Sequence, residues 1–467
     1  MSQVQQGVAA PVELPTPLKH PEGFRARRGL NWGSIGLLYA SYYLCRYNFP
    51  IANDAISTEF HLSNTQMGLI ISANQIAYAV GQMINGLFTD RIGGRKAMLI
   101  GAIGSILLNL MFGWAATWSG PNVSVTLTLA SFMIVWGMNG YIQSFGAPGM
   151  IKINAAWFHR TERGRFAGIF GFMINLGRFS IGLLGPALLG GFSLFWIIHI
   201  APLHWKWLFW VPAAITALVT INFFLWVKNS PEEAVFPQER TEPEDMSPDP
   251  TIGELFWTVF SNPVVWITAV AYACTGVVRQ GVDQWFPKYV KAMFQVDLKS
   301  PQFAILVFGI PLVATLGSLV SGYVSDIFFK GRRAPVAAAL YLMETFVILA
   351  AARFVSANTV VFFLILIAFT SNATHSILGT AAAMDIGGRK MAGFASGVID
   401  SFQYYGGFLS GALLGYIIDH HGWGSYFYFM APFGVIGALL MFFARNRMSP
   451  KPVVPKAGFE VLPPAKP

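Results

Sequence analysis

Apolar positions in this chain do not alternate with polar ones; they come in long unbroken runs. Twelve such runs lie near 30–51, 66–88, 97–116, 124–147, 166–190, 206–227, 264–287, 302–324, 335–352, 357–381, 392–417 and 424–444. Each is close to the ~20 residues that a helix, rising ~1.5 Å per residue, needs to cross a bilayer core. Continuous runs favour helices over a β-barrel, whose strands alternate between lipid and lumen. The pattern therefore predicts an all-α membrane protein of 12 transmembrane helices. A proline- and acid-rich stretch, 229–262, interrupts it and predicts a polar linker between a six-helix half at 30–228 and another at 263–445. The linker ends in ELFWTVFSNP, the pattern of a short helix lying on the membrane surface. Tails at 1–29 and 446–467 complete the chain.

Composition agrees: 54% of the 467 residues are hydrophobic and only 11% are charged, less than half the ~25% usual in soluble domains. The net charge of +9 raises the question of nucleic acid, but its distribution answers in the negative. Basic residues gather in the tails and in alternate loops, such as Arg25, Arg27 and Arg28, then Arg91, Arg95 and Lys96, then Arg332 and Arg333. That is the positive-inside asymmetry, and it places both termini in the cytoplasm. Cys45 and Cys274 fall inside apolar runs and read as small packing residues.

Charges inside the runs are costly and therefore informative. Arg46, in YYLCRYNF, and Arg279, in VVRQGVDQWFPKYV, sit at nearly equal depths of the first and seventh runs. A central arginine costs about 2.5–3.5 kcal/mol on translocon scales, so a matched pair calls for compensation. A bound anion facing two guanidinium forks supplies it, because the planar fork matches phosphate or carboxylate. Asp283 lies four residues after Arg279 and is the competing, purely structural partner. Asp400 and Glu344 are further intramembrane carboxylates, and His375 an isolated histidine. Asp400 is expected to face the cavity, Glu344 to pack peripherally, and His375 to form a hydrogen bond; if transport is coupled to protons, Asp400, Asp283 and His375 are the candidate coupling groups.

The two halves echo each other. GLFTDRIGGRK (86–96) follows the second run and GYVSDIFFKGRR (322–333) the eighth, so Gly86 and Asp90 recur as Gly322 and Asp326. Two related six-helix units read as a secondary transporter with its site between them. The stretch also resembles the loop motif between helices two and three of the major facilitator superfamily. On that resemblance Gly86, Asp90, Arg91, Arg95 and Asp326 form a gating motif, with Asp90 tied to a helix end or a basic residue and Gly86 permitting close helix contact.

A narrower resemblance covers nearly the whole chain. YYLCRYNF, VVRQGVDQWFPKYV, QSFGAPG (143–149), WFHRTERG (157–164) and FQYYGG (402–407) are similar to the motifs of the organophosphate/inorganic-phosphate antiporters. The resemblance implies that Arg46 and Arg279 bind the substrate phosphate and that Tyr43 and Tyr404 line the cavity. Two departures stand out. The family's lysine in the second helix is Gln82 here, and its histidine in the fifth is Ile174. Arg178, four residues further, either restores the missing charge or pairs with Asp400 or another acid.

The expected function is transport of a small organic anion, foremost an organophosphate exchanged for inorganic phosphate, by a monomer in the inner membrane. Proton-coupled symport through Asp400 and sensing of a sugar phosphate are the alternatives. No nucleotide loop, zinc signature or nucleophile–base motif is present, so neither catalysis, nor a cofactor, nor a metal is expected.

Overall fold

The structure, a computed structural model, describes residues 20–118, 123–158, 160–194, 198–236, 251–329 and 332–446. The first part of the amino-terminal tail, most of the linker and the end of the carboxy-terminal tail lie outside the described residues. Helices follow the twelve runs. The amino-terminal half comprises α1 (Phe24–Leu44) with α2 (Asn48–Glu59), α3 (Asn64–Ile92), α4 (Gly94–Trp118), α5 (Val125–Gln143) with α6 (Gly146–Trp157), α7 (Arg160–Gly190) and α8 (Trp207–Trp226). A short helix, α9 (Ile252–Phe260), precedes the second half: α10 (Pro263–Phe294), α11 (Pro301–Ile327), α12 (Arg333–Phe354), α13 (Val360–Ser376), α14 (Ala383–His421) and α15 (Ser425–Ala444). A π-helical turn, Ile377–Ala382, joins α13 to α14. The sequence pattern did not reveal a small antiparallel pair between α7 and α8, β1 (Phe192–Leu194) and β2 (Ile198–Ile200).

Two of the runs are broken, and proline explains both. Pro50 has no N–H for the carbonyl four residues back, and α1 gives way to α2 around Arg46. Pro148 does the same to Ser144, between α5 and α6. The carbonyl of Cys45, exposed by the first break, accepts from Asn109, Asn139 and Gln143 at 3.3, 3.1 and 3.2 Å. A broken helix at membrane depth is tolerable because side chains from α4 and α5 complete its hydrogen bonds.

The outer wall is apolar. Leu218 on α8, Phe346 on α12 and Phe443 on α15 are exposed, as lipid-facing side chains must be. On α9, Phe256 and Trp257 are exposed beside a Thr251–Glu254 capping box, in keeping with a helix at the interface. Among the described residues nine helical spans are long and apolar enough to cross a bilayer. Those that fall short are α1–α2, α10 and α14, which carry Arg46, Arg279, Asp283 and Asp400. Polarity is thus concentrated on the helices that meet at the centre.

Glycines bring the halves together at the end remote from the termini. A Cβ on Gly411 would stand 2.6 Å from the Gly68 carbonyl oxygen, and one on Gly68 would stand 2.7 Å from the Gly411 carbonyl carbon, so α3 and α14 touch backbone to backbone. Ser72 Oγ donates to the Phe408 carbonyl at 2.6 Å and accepts from Ala412 N at 2.8 Å. Asp419 accepts from the backbone and side chains of Asn64 and Thr65 at 2.6–3.0 Å. Lys291 meets Asp54 at 2.6 Å, and Lys288 donates to Ser57 at 2.9 Å.

Candidate functional site

Arg46 lies in the break between α1 and α2, where its side chain leaves the helix axis toward α3 and α5. Its Nε donates to Gln143 Oε1 at 2.8 Å. Its guanidinium covers the rings of Tyr78, at 4.3 Å, and Tyr43, at 5.1 Å. The group is 7% exposed, and among the described residues no carboxylate bonds it and its buried Nη2 has no hydrogen-bond partner. A fully buried cation held by a neutral amide and aromatic faces retains its demand for an anion.

Arg279 occupies the matching depth on α10 and is 8% exposed. Asp283 Oδ2 stands 4.0 Å from its Nε, which makes no hydrogen bond. The aspartate's strong contact is elsewhere: Asp283 Oδ1 pairs with Arg178 Nη2 on α7, and Oδ2 accepts from Tyr47 O–H at 3.3 Å. Arg178 also lies over the Tyr47 ring at 4.8 Å. Two open readings are decided. Asp283 does not chiefly neutralise its helix neighbour, because a short contact across the interface outcompetes one at 4.0 Å. Arg178 does pair with an acid, and that acid is Asp283, not Asp400. A small cavity of about 50 Å³ beside the pair is lined by Tyr47, Ile51, Arg178, Asp283 and apolar residues of α11.

Asp400 takes a different partner. Gln82 Nε2 on α3 donates to its Oδ2, and Tyr272 O–H lies 3.3 Å from its Oδ1. Tyr272 also meets His375 Nδ1, with the rings stacked at 5.5 Å, and Gln403 Oε1 at 3.3 Å. Tyr404 lies against Tyr78 with the rings tilted and centroids 4.2 Å apart, and Tyr43 stacks on Tyr47 at 5.6 Å. Both Tyr43 and Tyr404 are within electrostatic reach of both arginines. The centre of the bundle therefore holds Arg46, Arg178, Arg279, Tyr43, Tyr404, Gln82, Asp283, Asp400 and His375, spread along about three turns of α10 between the level of Tyr272 and that of Asp283. Gln143, Tyr47, Tyr78 and Tyr272 join them; only Gln143 had a sequence signal, as the first residue of QSFGAPG.

The loop motif divides. Asp90 Oδ1 is 3.4 Å from Lys152 Nζ on α6, and Asp326 Oδ1 accepts from Arg333 at 2.7 Å. Arg95 donates to the Phe224 carbonyl at 2.6 Å, and Arg91 is exposed. Gly86 departs from expectation: among the described residues nothing lies within 4 Å of a Cβ placed on it, so it makes no close helix contact there. Glu344 departs too. It is buried rather than peripheral, on a stretch of α12 whose neighbouring Tyr341 and Thr345 pack against Gly434 and Gly437 of α15, and neither carboxyl oxygen has a hydrogen-bond partner among the described residues.

Two six-helix halves with three arginines, Asp283 and Asp400 gathered where they meet define a multi-pass membrane transporter, not an enzyme. The chain belongs to the Major Facilitator Superfamily, whose family profile matches residues 35–411 and 300–467. It falls in the organophosphate antiporter branch that its motifs resemble. It is 30% identical over 405 residues to the glycerol-3-phosphate transporter of Bacillus subtilis, covering 83% of this chain and 86% of that one. It is 26% identical to the membrane sensor protein UhpC of Escherichia coli, over 90% of this chain and 92% of the other. A probable hexose phosphate transport protein of Chlamydia trachomatis is also 26% identical, over 87% and 88%. Among solved structures, a bacterial homolog of the human lysosomal transporter Spinster, inward-facing and unoccupied, shares the fold. Its TM-score is 0.71 at 18% identity, covering 92% of this chain and 100% of that one.

Proposed function

We propose that this protein carries an organophosphate across the inner membrane in exchange for inorganic phosphate, as a monomer with both termini in the cytoplasm. The observation that carries the reading is the pair of buried arginines, one from each half, each with a guanidinium nitrogen that has no hydrogen-bond partner among the described residues. The similarity to carriers of glycerol phosphate and hexose phosphate supports the substrate class. A phosphate between the forks joins the halves, and the halves rock about it. An empty carrier must turn with unsatisfied cations, which disfavours net flux and favours exchange.

The test is counterflow of labelled phosphate in proteoliposomes, with Arg46→Lys as the diagnostic variant. Lysine keeps the charge and loses the fork, so exchange falls on the order of 100-fold, as for other charge-assisted contacts worth a few kcal/mol. Normal exchange in that variant contradicts the reading. Two other readings have observations of their own. Resemblance to a sensor protein favours recognition without flux, which the assay reports as binding with no counterflow. The chain from Gln82 through Asp400 and Tyr272 to His375 favours proton coupling, which the assay reports as uptake that follows the pH gradient without internal phosphate.

A further inference from the structure

The buried charges at the centre of the bundle do not balance for a simple phosphate ester. Three arginines, Arg46, Arg178 and Arg279, share that centre with two carboxylates, Asp283 and Asp400. The excess is a single positive charge, whereas a phosphate monoester carries about −1.5 to −2 at neutral pH. Asp283 is already committed to Arg178. Asp400 is not bonded to any cation among the described residues; both arginines of the anion site act on it only through space.

Hydrogen-bond valence gives the same answer independently. A carboxylate only accepts, so the amide of Gln82 must present its N–H₂ to Asp400. That leaves Gln82 Oε1 without a donor on a side chain only 8% exposed. Gln75 repeats the situation seven residues earlier: its Nε2 donates to Gln280 at 3.1 Å, and its Oε1 is buried and unpartnered. Gln75, Tyr78 and Gln82 share one face of α3, at the helical spacing of three and seven. This face looks across the interface at Tyr404 and Asp400. Tyr78, which carries Arg46 on its ring, links it to the anion site. Of the two orphaned acceptors, that of Gln82 stands beside a carboxylate, and this pairing calls for a donor that is also positive.

We propose that Asp400 and Gln82 Oε1 form a subsite for an ammonium group, so that the preferred substrate is a phosphate ester bearing a primary amine. This rests on the anion-site reading above. The phosphate takes the free nitrogens of Arg46 and Arg279. The ammonium replaces the amide of Gln82 on Asp400 and donates to Gln82 Oε1. The substrate's net charge near −1 then matches the excess of +1 among these buried groups.

The experiment compares aminoethyl phosphate with ethyl phosphate, which differ by the amine alone, on the purified full-length protein, with inorganic phosphate as a third ligand. Dissociation constants come from thermal shift or calorimetry. The expected result is at least tenfold tighter binding of aminoethyl phosphate, the scale of one charge-assisted hydrogen bond, and loss of that preference in Asp400→Asn. Equal or tighter binding of ethyl phosphate by the wild type overturns the ammonium subsite while leaving the anion site standing, and needs no variant. A preference that survives in folded Asp400→Asn overturns the assignment to Asp400. If neither ester nor inorganic phosphate binds, the anion site itself is wrong and the subsite falls with it.

Discussion

Arg178 on α7 and Asp283 on α10 form a buried ion pair across the interface of the two halves, and Tyr47 donates to the same carboxylate at 3.3 Å. The contact stands one helical turn from Arg279, so Asp283 answers two cations at once. When the halves separate at this level, Arg178 and Asp283 lose each other, and the energy of the pair enters the conformational equilibrium directly.

Removing one member leaves the other buried and uncompensated, at a cost of about 3–5 kcal/mol. Arg178→Leu and Asp283→Leu are each expected to lower the melting temperature of the detergent-purified protein strongly. The double variant is expected to recover most of the loss. A double variant as unstable as the sum of the two singles means that the residues do not act on one another.

The orientation of Arg46 depends on Gln143, whose Oε1 accepts from Nε and whose Nε2 reaches the Cys45 carbonyl. Gln143→Glu puts a carboxylate in the place of the amide oxygen and occupies the guanidinium permanently. Phosphate affinity is expected to fall by at least tenfold while the protein stays folded, since the new pair is itself favourable. Gln143→Leu, which only removes the partner, is expected to weaken binding less. Isothermal titration with inorganic phosphate ranks the three proteins; unchanged affinity in Gln143→Glu sinks the assignment of Arg46 to the anion site.

Much of this was legible beforehand, and the reasons differ by residue type. An arginine in a twenty-residue apolar run is conspicuous, so Arg46, Arg178 and Arg279 stood out at once. Their partners did not. Arg178 has no acid within a helical turn on its own run, and its choice of Asp283 over Asp400 depends on how α7 crosses α10, which no local pattern encodes. Tyr47, Tyr78 and Tyr272 are ordinary in a chain rich in aromatics. The helix breaks were readable in principle from Pro50 and Pro148, since each removes the donor for the carbonyl four residues earlier. Gly86 misled because the recurrence of a motif shows that a position matters without showing what it touches.

Close contact of α3 with α14 depends on glycine. A Cβ at Gly411 would lie 2.6 Å from the Gly68 carbonyl oxygen and 2.8 Å from Ser72 N, both backbone atoms that cannot swing aside. Gly411→Val is expected to prevent closure at the end remote from the termini, abolishing counterflow in a protein that still folds and still binds phosphate. Single cysteines replacing Thr65 or Asp54, both at that end, should become labelled faster by a membrane-impermeant thiol reagent in the valine background. Unchanged labelling with normal exchange shows that the helices do not need this approach.

Glu344 supplies the sharpest stability test, because its burden is visible and its benefit is not. The side chain is fully buried on α12, and neither carboxyl oxygen has a hydrogen-bond partner. An ionised carboxylate in such a place is penalised by several kcal/mol, and even the protonated acid leaves its polar atoms unsatisfied. Glu344→Gln removes the possibility of charge at nearly constant volume, and Glu344→Met removes the polar atoms as well. Both are expected to leave exchange intact, since Glu344 lies away from the arginine layer. Each should raise the melting temperature, Met more than Gln, by about 1–3 kcal/mol in stability. The gain should shrink as the pH is lowered, because protonation relieves the wild type of the same penalty. A fall in melting temperature with either substitution, or loss of exchange with stability unchanged, means that the carboxylate has a partner or a duty in another conformation of the transport cycle.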